Sequence, residues 1–320
     1  MNIPTAQERT DNLPLAVGVI ILTVLALSLG DALIKLGSGD FVIWQIFVLR
    51  SLLAIPLLVI FMAVRDKQSL RFPAASFWPN AMLWTVGRSM LLVAMWVSYY
   101  IALPHLSLSI AAAAYYTLPI FITLFAALFT GEKINHYGWT AVVLGFTGVL
   151  LILQPASEDF NWYALLPILA AILYALAMIL TRTRCRAVHP LMLSLALNIA
   201  FVVTGGIAAL FIAGMFPEGR EGFLLAPWTE MNPSRWLSMG MLAIIILIGS
   251  IGAAIAYQNG PPSIIGIFDF GYVGFAVLWS ILIFNQYPDT VSVAGIVLIV
   301  AAGIISLRSR IVQSKLTRYW

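Results

Sequence analysis

Apolar residues in this chain fall into long unbroken runs. Ten stand at about 14–36, 41–64, 81–103, 107–129, 137–154, 162–181, 190–214, 236–258, 264–284 and 289–307. Each is near the length that crosses a hydrocarbon core roughly 30 Å thick. Membrane strands would alternate in polarity, so continuous runs predict helices. Polar or proline-containing hinges divide them: Gly37-Ser38-Gly39-Asp40, Pro104-His105, Gln154-Pro155, His189-Pro190, Gly260-Pro261-Pro262 and Pro288-Asp289. The longest connection, about 215–235, carries Pro217, Pro227, Trp228 and Pro233, with Trp236 just beyond. It predicts a short interfacial segment, because Trp favours the headgroup level.

Two stretches share one layout. Ser107 to Leu153 holds two apolar runs joined at Gly131-Glu132-Lys133-Ile134-Asn135-His136. Ser263 to Leu307 repeats this around Asn285-Gln286-Tyr287-Pro288-Asp289, with identities such as Ser109/Ser263, Phe121/Phe275 and Leu153/Leu307 at an offset of 154. Matched hinges and span lengths carry the repeat further than these aliphatic identities do. The expected fold is an all-α integral membrane protein of ten transmembrane helices in two five-helix repeats, 1–154 and 155–320. Five is odd, so the second repeat must sit upside down. Inverted repeats build alternating-access carriers with a substrate site near the bilayer midplane.

Composition agrees: 62% of residues are hydrophobic and 9% charged, against about a quarter charged in soluble domains. No polar stretch is long enough for a separate soluble domain. The first 13 residues are polar, and no small-residue cleavage site follows the first run. That run is therefore expected to be a retained helix rather than a signal peptide. The lone Cys185 excludes an internal disulfide. With the N-terminus in the cytoplasm, twelve Lys and Arg fall on that side and three (Lys35, Arg220, Arg235) on the other. This bias predicts both termini inside. It also accounts for the net charge of +4 without nucleic acid.

Pro119 precedes Gly131-Glu132, and a glycine-spaced helix follows through Gly145 and Gly148. On these features the chain resembles the EamA-domain group of the drug/metabolite transporter superfamily over nearly its whole length. The second half departs, with Asn285-Gln286 for Gly-Glu and no proline matching Pro119. Gly30-Asp31, Lys35, Arg50, Arg88 and the FNQYPD segment make it similar to the subgroup containing bacterial S-adenosylmethionine carriers. The resemblance implies a transporter in the cell (inner) membrane. It makes Pro119, Glu132 and Lys35 signature positions with structural roles and leaves the substrate open, since function lives in the site.

Asp31, Arg50, Arg88 and Asp269 fall inside apolar spans. A charge at a helix centre costs roughly 2.5–3.5 kcal/mol on the insertion scale, so partners are expected. At 1.5 Å per residue, Asp31 lies about 8 Å and Arg50 about 13 Å from the outer span ends. These two are expected to meet, with Lys35 one turn beyond Asp31. Arg88 and Asp269, about 8–10 Å from the cytoplasmic ends, form a second expected pair. The alternative is two structural ion pairs that bind nothing. Asp269 stands among Phe268, Phe270 and Tyr272, which suits a cationic or aromatic solute. Trp44, Trp96, Tyr99, Tyr100, Tyr115 and Tyr116 add aromatic candidates, and adjacent helical positions predict that only one of Tyr115 and Tyr116 faces a cavity. Asn198 is the expected polar counterpart of Arg50 across the repeat, or packing glue between helices. Glu132 beside Lys133 reads as an interfacial ion pair.

No nucleotide-binding loop, metal-ligand spacing or nucleophile elbow occurs in the sequence, so no cofactor or metal is expected. Arg182-Thr183-Arg184-Cys185-Arg186 reads as a topology-setting loop. The sequence thus favours a secondary carrier of a small zwitterionic or cationic metabolite, as an exchanger or proton-coupled, monomeric or a homodimer. The alternatives are an integral-membrane enzyme on a lipid-type substrate, which would want clustered His, Asp or Glu at a membrane surface, and a channel, which would want a filter loop.

Overall fold

The computed structural model describes residues 12–65, 78–130, 136–153, 161–216, 220–269 and 271–316. Among them there are helices and no strand. The helices are α1 (Leu13–Leu36), α2 (Ile43–Arg65), α3 (Trp78–Ala102), α4 (Leu108–Tyr115), α5 (Leu118–Thr130), α6 (His136–Leu153), α7 (Leu165–Thr183), α8 (Pro190–Met215), α9 (Gly222–Leu225), α10 (Pro233–Asn259), α11 (Pro262–Phe268), α12 (Gly271–Phe284) and α13 (Thr290–Leu316). Eight spans among the described residues are long and apolar enough to cross a membrane. The chain is a multi-pass membrane protein. Its lipid-facing surface is apolar, with side chains such as Leu210 and Val64 largely exposed.

The hinges start helices as their chemistry dictates. Asn12, Ser107 and Asn232 accept from the backbone N–H three residues on, and His189 accepts from Leu191. Proline in the first turn of α1, α8 and α10 lacks an N–H that would be orphaned there. The long connection seats on the start of α2. Gln45 exchanges two hydrogen bonds with the Thr229 backbone (2.7 and 3.0 Å), and Trp44 Nε1 donates to Leu224 O at 3.0 Å.

Two expectations need correction. The fourth and ninth spans are not single helices: α4 gives way to α5 at Tyr116-Thr117, and α11 to α12 around Asp269. Pro119 explains the first break, because it cannot donate to the carbonyl of Tyr115, and Thr117 Oγ1 turns back to Ala114 O at 3.0 Å. The second break forms without proline, the Asp269 carbonyl accepting from Tyr272 N at 3.0 Å. Pro119 therefore marks a break rather than a kink, whereas Pro56 lies within continuous α2.

Packing partners come in matched sets. α1 packs on α10 as α7 packs on α3; α1 on α12 as α7 on α5; α2 on α10 as α8 on α3; α5 on α11 as α12 on α4. α6 lies against α13 and α2 against α8. The α1–α10 seam is set by small residues. A Cβ on Gly30 would stand 2.7 Å from Ile245 Cγ2, and one on Gly252 would fall on Thr23 Oγ1. Gly240, on the same helix, faces open space. Gly252→Val is therefore expected to lower unfolding stability by about 1–3 kcal/mol and to reduce monodisperse yield in detergent. Gly240→Val should leave both unchanged. Equal behaviour of the two in a thermal-shift series would contradict this seam.

Candidate functional site

The two helix breaks and the middles of α1, α3 and α7 enclose a narrow cavity of about 30 Å³. Its wall contains Asp31, Trp96, Tyr99, Tyr115, Tyr116, Tyr174, Asp269 and Tyr272. That volume holds one or two waters, so admitting a metabolite requires the helices to part. Both Tyr115 and Tyr116 line it, against the expectation for adjacent helical residues, because the helix ends between them and its turn is not propagated. Tyr116 stacks on Tyr272 with centroids 5.3 Å apart, and Tyr115 meets Tyr99 edge-on at 5.3 Å.

Each cavity carboxylate is held by a tyrosine. Tyr272 OH donates to Asp31 Oδ2, and Tyr257 OH donates to Asp269 Oδ2. Since the Tyr272 proton goes to Asp31, the 2.9 Å contact between Tyr99 and Tyr272 hydroxyls has Tyr99 as donor. Tyrosines 99 and 272 thus form a relay into Asp31.

The expected ion pairs are not made. Asp31 and Arg50 come to the wall of one smaller adjoining cavity but do not approach within bonding distance. Arg50 Nη1 donates to Tyr100 OH at 3.2 Å, and its guanidinium lies over Phe201, Phe47, Tyr100 and Trp96 at 4.6 to 5.8 Å. Aromatic faces stabilise this cation where a carboxylate was expected. Arg88 donates from Nε to Thr181 Oγ1 at 2.6 Å and does not reach Asp269. Tyr174 stands within electrostatic reach of both.

Other candidates move out of the cavity. Phe268 packs against the core and Asn198 donates to Ser194 O at 2.9 Å; neither lines the two cavities. Lys35 turns away from Asp31 to bond Leu103 O and Leu106 O at 2.9 and 2.6 Å, satisfying orphan carbonyls past the end of α3. At the end of α10, Arg182 Nη1 donates to Gln258 O at 3.1 Å. Glu132 and Phe270 lie outside the described residues. Sequence reasoning missed Tyr174, Tyr257 and the central role of Tyr100. For Tyr174 the available signal was a tyrosine alone in the middle of an aliphatic span; Tyr257, beside Gln258 and Asn259 at the end of α10, and Tyr100, beside Tyr99 near the end of α3, carried no such signal.

No group of three or more His, Cys, Asp or Glu among the described residues is placed to hold a metal. Cys185 is buried, and burial pushes its thiol pKa up, partly offset by Arg88. The thiolate is the reactive form. Maleimide labelling of the folded protein at neutral pH should therefore be slow and should rise with pH, while labelling in SDS is immediate. Comparable rates in the two conditions would show that this turn opens.

Residues 14–154 match the EamA-like transporter family. The chain is 28% identical to the riboflavin transporter of Rhizobium johnstonii, over 68% of this chain and 66% of that protein. It is 26% identical to the pseudopaline exporter of Pseudomonas aeruginosa, over 91% of this chain and 96% of that protein. It is 25% identical to the S-adenosylmethionine uptake transporter of Rickettsia felis, over 67% and 68% respectively. One solved crystal structure superposes with a TM-score of 0.67 at 19% identity, covering 93% of this chain and 98% of that one. This last likeness establishes a shared fold.

Proposed function

We propose, from the match of residues 14–154 to the EamA-like transporter family, that the chain is a secondary carrier. It moves a small zwitterionic or cationic organic solute across the inner membrane by alternating access. In this reading α6 and α13 complete ten membrane helices. The halves 1–154 and 155–320 are inverted copies, and both termini are cytoplasmic.

The observation that carries the reading is the pair of broken helices. The breaks follow Tyr115 and Phe268, 153 positions apart and within one of the repeat offset, and both open onto the cavity that holds Asp31, Asp269 and the tyrosines. Discontinuous helices at the repeat interface are the usual way a carrier exposes polar groups at midplane. The exchanged packing sets and the paired end-caps, Lys35 on α3 and Arg182 on α10, support a two-fold relation between the halves. Two carboxylates in an aromatic wall favour cationic groups on the solute. Relatives named for uptake and for export are both present; a carrier of this kind runs down whichever gradient drives it, by proton coupling or exchange.

The test is counterflow in proteoliposomes, with radiolabelled amino acids, methylated amines, S-adenosylmethionine and riboflavin. Saturable uptake accelerated by the same unlabelled solute inside is expected. Flux that neither saturates nor accelerates would instead indicate a channel, and absence of flux across the panel would remove the proposal.

A further inference from the structure

Arg50 on α2 and Asp31 on α1 are opposite charges, each 2% exposed, in the wall of one cavity. Such groups ordinarily form a direct ion pair, because an unpaired buried charge is costly. Here they feel one another's charge across Tyr100, but no direct ion pair joins them. Asp31 Oδ1 and both Nε and Nη2 of Arg50 have no hydrogen-bond partner, although each residue is anchored through its other atoms: Asp31 Oδ2 by Tyr272, and Arg50 Nη1 by Tyr100. The rings of Phe201, Phe47, Trp96 and Tyr100 hold the guanidinium without using its donors. The edge left over, Nε with Nη2, is the fork that binds a carboxylate through two parallel hydrogen bonds.

The space between them is bounded. Asp31, Arg50, Gly30, Tyr100 and Trp96 line a cavity of about 10 Å³, and Asp31 and Trp96 also line the larger tyrosine cavity. Gly30 keeps that wall low, with Ile245 across from it. The two cavities therefore adjoin through Asp31, one walled by opposite charges and the other by rings.

We propose that Asp31 and Arg50 form a clamp for the head of an α-amino acid. The ammonium lies against Asp31 Oδ1 and the carboxylate against the Nε/Nη2 edge of Arg50, while the side chain extends into the tyrosine cavity. The clamp rests on the carrier reading and narrows its substrate class. A zwitterion satisfies both unpaired groups at once with no net charge. A simple amine would leave Arg50 unpaired, and a simple acid would leave Asp31 unpaired, each at the expense of a buried charge without a partner.

The test uses three probe pairs that share a body and differ in the head: S-adenosylmethionine and its decarboxylated form, L-tryptophan and tryptamine, L-arginine and agmatine. Binding to purified protein and counterflow in proteoliposomes are both measured. In the wild type, one amino acid or more should bind roughly tenfold or more tightly than its decarboxylated partner. Arg50→Gln should erase that preference, with the amine binding as well as or better than the amino acid. Arg50→Lys, which keeps the charge and loses the fork, should retain only part of it. Size-exclusion profiles identify variants that fail to fold, and for those the wild-type amino-acid/amine ratio alone decides. An unchanged ratio in folded Arg50→Gln overturns the clamp while leaving the carrier standing. So does a wild type that carries riboflavin or amines but no α-amino acid. Absence of saturable flux for every solute removes the carrier reading and the clamp with it.

Discussion

Asp31→Asn and Asp269→Asn are each expected to reduce transport of a cationic or zwitterionic solute by about 100-fold or more, with folding retained. Asn matches Asp in size and its side-chain oxygen still accepts from a tyrosine, so the bonds from Tyr272 and Tyr257 survive in kind. What disappears is the charge. A unit charge 4 Å from an opposite one is worth about 4 kcal/mol at an effective dielectric of 20. That is two to three powers of ten in affinity. Initial rates in proteoliposomes, normalised to the monodisperse fraction, check this. Rates within about twofold of wild type, a difference worth only ~0.4 kcal/mol, would make that carboxylate a structural group. Tyr257→Phe and Tyr272→Phe should have smaller effects, about tenfold, from loss of one hydrogen bond to a charged group.

The membrane class and most span positions were legible because the bilayer demands apolar length, and length survives in a linear pattern. The spans expected at 14–36 and 190–214 coincide with α1 and α8 within a residue. The helix breaks were only half legible. Pro119 announces one, but nothing local in Ile267-Phe268-Asp269 stops a helix, and that break depends on what surrounds it. Which residues would be polar and buried could be read from charge in an apolar run: Asp31, Arg50, Arg88 and Asp269 are all buried. Their partners could not be read. Depth along a span fixes one coordinate, whereas pairing needs rotation about the helix axis as well. The structure gives Asp31 and Asp269 tyrosines from α12 and α10, and leaves Arg50 among rings. Lys35 shows the same limit, since its carbonyl partners lie 68 and 71 residues away.

Arg88→Met is expected to separate stability from transport. Arg88 is fully buried, its Nε bonds Thr181, and Nη1 and Nη2 have no hydrogen-bond partner. A buried charge with no ion-pair partner keeps a desolvation cost that nothing repays, so an apolar side chain of similar volume in its place is expected to be neutral or stabilising. Keeping the arginine therefore opposes stability, and transport supplies a reason to keep it. In an alternating-access cycle the carrier must also return without solute, and Asp269 is then a buried charge that has lost its counter-ion. Tyr174 lies within electrostatic reach of both Asp269 and Arg88, and Arg88 is the cation expected to act as that counter-ion in the unloaded carrier. Removing Arg88 should slow the unloaded return and leave loaded exchange largely intact. The expected result is a melting temperature equal to or above wild type and net efflux reduced about tenfold or more, a barrier change of ~1.4 kcal/mol. Counterflow should be changed by less than about threefold, or ~0.7 kcal/mol. Equal loss of efflux and counterflow would place Arg88 in solute binding instead. A fall in melting temperature with proportionate loss of both would make it a structural strut between α3 and α7.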